Sequence, residues 1–194
     1  MNTSKFNQAI TLIDQANSED PNTETWQGLE YPKEVLYSMR MTEMLAEFSP
    51  TASTPLQLAA RSQHICRWQH PRKDYEMNRS GYLLWRKELN KFHAQKTGEI
   101  LESLDFDVET IEKVQFLLLK KQLKRDTQTQ ALEDVICLVF LQYYFTDFAA
   151  EHTEEKIISV LQKTWAKMSE QGHQKALTLS LPEHDQALIA KALS

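Results

Sequence analysis

Glycine is scarce in this chain: four residues in 194, or about 2%, against roughly 7% in ordinary usage. Glycine is the residue that reaches positive φ at no steric cost, so folds made of many tight turns draw on it heavily. A β-sandwich, a β-barrel and a glycine-rich phosphate loop are therefore excluded, and an all-α fold is expected. Hydrophobic residues at 41% and charged residues at 25% supply a core and a solvated surface. The length suits one domain, and no repeat, low-complexity run or linker divides residues 1–194.

Punctuation and periodicity then place seven or eight helices. Residues 17–33 are the least periodic stretch and read as a surface loop lying over the body. Residues 34–47 carry Leu36, Met41, Met44 and Leu45 at helical spacing, and Ser49-Pro50 ends that helix. Ser53-Thr54-Pro55 gives a cap and a first-turn proline to a helix running to about Gln69. His70-Pro71 breaks it, 72–80 reads as a loop, and a long helix follows over 81–104. Asp107 caps a helix to about Leu123. The run Val135 to Leu141 lies inside a segment without Gly or Pro, so 127–150 reads as a central helix buried all round. Helices over 153–172 and from Pro182 complete the set. The body thus divides into a core over 34–150 and C-terminal helices over 151–194.

Charge is uneven along the chain. Arg61 to Lys91 holds eight basic and three acidic residues, a net +5, which leaves −10 elsewhere within the total of −5. Trp68, Tyr75, Tyr82 and Trp85 are interleaved there with Arg67, Arg72, Arg79 and Arg86. Guanidinium forks beside aromatic faces suit a small phosphorylated or nucleotide-like ligand. The plainer alternative is a set of solvated faces paired with acids elsewhere. General nucleic-acid binding is not expected from an acidic chain. No segment approaches the ~18 apolar residues of a membrane span. The N-terminal stretch lacks the marks of a signal peptide, and Cys66 and Cys137 form no pattern, so a reduced cytoplasmic protein is the expectation.

Three groups from separate helices are candidates for one interior site. His64 shares a face with Leu56 and Ala60, and His93 shares a face with Trp85 and Leu89. Asp134, beside Glu133, borders the most apolar segment, where an unpaired carboxylate is costly. Two imidazoles and a carboxylate suit a single divalent transition metal such as Zn, Mn, Fe or Co. Each also has a plain explanation, as a hydrogen-bonded core histidine or a capping or ion-paired aspartate.

Those positions carry a resemblance. The order of LYSMRM (36–41), LAARSQHICRW (58–68), FHAQKTGEIL (92–101) and LEDVICLVFL (132–141) resembles the helical core of HD-domain phosphohydrolases. QHICRWQHPR, NRSGYLLWR and LEDVICLVFLQYYFTDF more closely resemble an uncharacterised bacterial and fungal family, a domain of unknown function, over residues 31–181. The HD likeness implies that His64 is the doublet histidine, His93 a later ligand and Asp134 the distal aspartate. The doublet aspartate is replaced by Ile65, and the first-helix histidine position falls near Tyr37 or Ser38. That departure implies a degenerate site without two-metal hydrolysis. KMSEQ (167–171) is similar to the KMSKS loop of class I aminoacyl-tRNA synthetases, but no strand–helix alternation accompanies it, so that activity is excluded.

Three readings of function stay open. The first is a module on an HD-like scaffold that binds a phosphorylated anion through Arg67, Arg72, Arg79 and Arg86. The second is a mononuclear metal-dependent phosphohydrolase, with metal on His64, His93 and Asp134 and Glu133 as the base. The third is a protein-interaction module presenting Tyr143, Tyr144, Phe145 and Phe148, unless those pack in the core. A homodimer is compatible with all three.

Overall fold

The computed structural model describes residues 3–194. The chain begins with α1 (Thr3–Ser18), which the sequence reading did not assign, and continues into a hairpin of β1 (Thr23–Trp26) and β2 (Leu29–Pro32). Then come α2 (Lys33–Phe48), α3 (Thr54–Arg61), α4 (Arg79–Ser103), α5 (Val108–Leu118) and α6 (Thr127–Val139). A π-helical turn, Phe140–Tyr144, joins α6 to α7 (Phe145–Ala150). The chain ends with α8 (Glu154–Lys167), α9 (Glu170–Ala176) and α10 (Glu183–Leu193). The all-α expectation holds, with ten α-helical segments among the described residues rather than seven or eight. None of them is long and apolar enough to cross a membrane.

Ser53 and Asp107, which the sequence marked, and Asp126, which it did not, each accept a hydrogen bond from the backbone N–H three residues on, satisfying a donor that the first helical turn leaves free. Pro55 sits in the first turn of α3, where its missing N–H costs nothing. The expected loop over 17–33 is instead largely the hairpin. Its two turn residues, Gln27 at φ 51° and Gly28 at φ 79°, have the positive φ at both positions that a tight β-turn of the primed kind needs.

Turns in a glycine-poor chain are made by other residues. Six non-glycine residues adopt positive φ among the described residues: Gln27, Cys66, Asp105, Lys120, Gln122 and Lys124. Two expected helices end early at such points. The helix expected to reach Gln69 stops at Arg61 and gives way to turns, with Cys66 at φ 52°. The backbone N–H of Cys66 donates to Asn17 Oδ1 at 2.9 Å, and Asn17 Nδ2 donates to Ser38 Oγ at 2.9 Å. The buried Asn17 of α1 thus ties that turn to α2. Likewise α5 stops at Leu118, and left-handed residues at 120, 122 and 124 carry the chain to α6. The helix expected over 153–172 is cut at Met168, because Ser169 caps α9.

The core is centred on α6, which touches α2, α3, α5, α8 and α9. Val135, Leu138 and Val139 are fully buried there, as is Phe145 beyond the π turn. The aromatic run packs inward: Arg40 of α2 lies 4.6 Å from the Tyr143 ring centre and 5.1 Å from that of Tyr144. Arg40 also pairs with Glu24 of β1 at 2.5 Å, which fastens the hairpin to the body. A partner-facing role for these aromatics is not supported by that packing.

Candidate functional site

Five segments contribute to one cluster: α2, the turns after α3, α4, the turn after α5, and α6. The first turns of α2 place Glu34 and Tyr37 on one face, three residues apart. The turns after α3 present His64 and Arg67. On α4, Trp85, Leu89, His93 and Thr97 recur every fourth residue and form its buried stripe, with Arg86 at the margin. Lys120 follows α5 in the left-handed conformation, and Glu133 comes from α6.

His64 and His93 are brought together, with ring centres 5.9 Å apart. The His64 ring stacks on Tyr37 at 3.8 Å with planes 12° apart, which fixes its orientation. Its Nδ1 lies 3.3 Å from Glu34 Oε2, and Arg67 Nη1 lies 4.0 Å from Glu34 Oε1. The Arg67 guanidinium also rests 5.3 Å from the Trp85 ring centre, while the Trp85 indole N–H donates to the His70 carbonyl at 2.8 Å. Lys120 Nζ is 2.5 Å from Glu133 Oε2, and Lys167 Nζ is 3.6 Å from Glu133 Oε1. His64 Nδ1, His93 Nε2 and Thr97 Oγ1 are buried without a hydrogen-bond partner among the described residues. Half-buried Arg86 makes no hydrogen bond or ion pair with the described residues.

The charges around these groups set their protonation. Burial pushes the Glu34 carboxyl up to about 7, against the opposing pull of Arg67 and Lys33. Burial, and then the positive charges of Arg67, Arg86 and Lys120, hold His64 well below the ordinary imidazole value. His93 is lowered as strongly, by burial and then by His64, Arg67, Arg86 and His70. Both rings are neutral at pH 7, so each offers one donor and one acceptor. Burial would raise Glu133, but Lys120, Lys167 and Arg86 outweigh it and leave the carboxyl below its usual value. Burial lowers the Lys120 ammonium despite the pull of Glu133.

The remaining expected site residues are placed elsewhere or do other work. Asp134 does not join the histidines. It accepts from the Ser169 N–H at 2.7 Å, the Ser169 hydroxyl at 2.6 Å and the Gln130 amide at 3.1 Å, and so holds the α8–α9 junction where KMSEQ lies. Among the described residues no three His, Cys, Asp or Glu side chains form a group that could hold a metal ion. The grouping of His64, His93 and Asp134 on one ion is thus corrected. Arg72 donates to the carbonyls of Tyr75, Glu76 and Asn78, bracing its own loop. Arg79 is exposed and has no hydrogen bond or ion pair with the described residues. Glu133 is an ion-paired counter-charge rather than a free base.

Sequence reasoning missed Glu34 and Lys120. Glu34 could have been found, because it lies one turn before the Tyr37–Ser38 position already marked on the same helix face. Lys120 had no periodic signal, since its direction depends on a left-handed backbone at φ 54°.

No curated protein and no solved structure matches the chain. One family model does, over residues 7–189, nearly the whole of it. The chain belongs to that family, described as Domain of unknown function (DUF4202).

Proposed function

We propose that this protein binds a small phosphorylated or nucleotide-like anion between α2, the turns after α3, and α4. The observation that carries the reading is Arg86, a half-buried guanidinium with no hydrogen bond or ion pair among the described residues, beside two neutral buried imidazoles. Arg67, 4.0 Å from its nearest carboxylate oxygen, is free to turn toward a ligand. Guanidinium groups match phosphate oxygens in geometry and charge, and the neutral rings add donors without adding charge. Stacked residues hold the site in place before a ligand arrives, which lowers the entropy cost of binding. The HD-like order of the helices belongs to this reading and rests on the four sequence segments alone.

The test is thermal unfolding with inorganic phosphate, pyrophosphate and ADP. A ligand at a hundred times its Kd stabilises the folded state by about 2.7 kcal/mol. For a chain of this size that raises Tm by roughly 5–10 °C. Arg86→Gln is expected to remove the shift, and Arg79→Gln to keep it. No shift with any of the three, or equal shifts in parent and Arg86→Gln proteins, would overturn the reading.

A further inference from the structure

The phosphate-binding reading leaves unexplained why one imidazole is set between an aromatic plate and a carboxylate. We propose that His64 is a nucleophile that takes the phosphoryl group from a bound phosphomonoester, forming a phosphohistidine. The inference rests on the binding reading and extends it from recognition to chemistry.

Three features support it. First, the ring is pre-oriented: Tyr37 stacks on it at 3.8 Å, so its in-plane nitrogens point in fixed directions. Second, Glu34 Oε2 stands 3.3 Å from Nδ1. Once ionised, above about pH 7, a carboxylate there favours the tautomer with the proton on Nδ1, which leaves a lone pair on Nε2. The contact is misaligned in the structure, and such contacts tighten as positive charge develops on the ring. Third, burial and then the charges of Arg67, Arg86 and Lys120 keep the His64 ring unprotonated and able to attack. The same cations meet the charge spread over the phosphoryl oxygens in the transition state. His93 Nε2, buried and unpartnered, is the neighbouring group able to hydrogen-bond one of those oxygens.

The step balances with a monoester monoanion as substrate. The Nε2 lone pair forms the N–P bond while the bond from phosphorus to the leaving oxygen breaks. The leaving oxygen keeps that electron pair, takes the proton carried by the phosphoryl group, and departs as the alcohol. The phosphoimidazolium keeps its Nδ1 proton, which faces Glu34. Attack of water on phosphorus then breaks the N–P bond, returns the neutral ring and releases dihydrogen phosphate.

The experiment uses the full chain and p-nitrophenyl phosphate, whose phenolate leaves without needing a proton. The expected result is a burst of nitrophenolate stoichiometric with protein, and a phosphoryl group mapped by mass spectrometry to His64. That adduct should survive alkali and be lost in acid. His64→Asn should lose both burst and adduct, with turnover down about a hundredfold or more, while His93→Gln slows the burst and leaves whatever adduct forms on His64. Mapping of the adduct on wild-type protein decides the matter even if a variant misfolds. An adduct on another residue, or none, overturns the proposal. A thermal shift with phosphate but no adduct refutes this step alone, whereas neither shift nor adduct refutes binding as well.

Discussion

Replacing Glu34 with glutamine isolates the cost of ionising a carboxyl in this interior. In the folded protein the group titrates near 7 rather than at its ordinary 4.5. Below pH 4.5 it is protonated in both folded and unfolded chains and makes no difference to stability. As pH rises from there to 7 the unfolded chain ionises while the folded one retains its proton, so folding loses stability throughout that interval. Above 7 the penalty is complete. The gap between 4.5 and about 7, at 1.36 kcal/mol per pH unit, comes to roughly 3 kcal/mol. Glu34→Gln keeps the shape and removes the ionisation. Urea unfolding of parent and variant at pH 4.5, 6 and 8 should show the variant gaining little at the lowest pH and up to about 3 kcal/mol at the highest. That gain corresponds to a midpoint shift on the order of 1 M. His64 and His93, whose values are lowered, destabilise both proteins as pH falls below 6.5, so their effect largely cancels in the difference. A variant no more stable relative to the parent at pH 8 than at pH 4.5 would refute the reasoning.

Two further substitutions test the surroundings. Lys120→Met leaves Glu133 buried with the longer Lys167 contact and the more distant Arg86 charge, and removing one member of a buried pair costs about 3–5 kcal/mol; the double variant with Glu133→Leu should recover most of that in urea unfolding. At Gly172 an added Cβ would lie 2.6 Å from Asp134 Oδ1, an atom fixed by Ser169. Gly172→Ala should therefore cost roughly 1–3 kcal/mol, read as a lower Tm with helical circular dichroism retained.

Much of the architecture was legible because caps and periodicity are local. Ser53, Pro55 and Asp107 marked helix starts, and the stripe through Trp85, Leu89 and His93 correctly placed His93 inside. What escaped depends on contacts distant in sequence or on backbone that composition does not reveal. The apolar positions of α1 (Phe6, Ala9, Ile10, Ile13 and Ala16) do recur at helical spacing and could have been read, but its role as a tie emerges only when Asn17 reaches Cys66 across 49 residues. The turns after α3 were read as helix because nothing in 62–66 forbids one; the left-handed Cys66 is held by that same asparagine. At the site, the two histidines were read correctly as neighbours. Asp134 was not, because a carboxylate at the end of an apolar run looks the same whether it faces a metal or a backbone N–H. Only the neighbouring chain, here Ser169, distinguishes those cases.

The widened turn at Phe140–Tyr144 has a consequence for how the middle rod should be drawn. In a regular α-helix adjacent residues diverge by about 100° and cannot crowd one target. The extra residue lets Tyr143 and Tyr144 both clasp the guanidinium of Arg40. It also rotates everything downstream out of phase with what came before, so a single helical wheel blurs two distinct stripes into an apparently continuous apolar coat. Removing one residue from that coil would restore ideal winding, yet it would swing Phe145 out of the interior and release the arginine that anchors the hairpin.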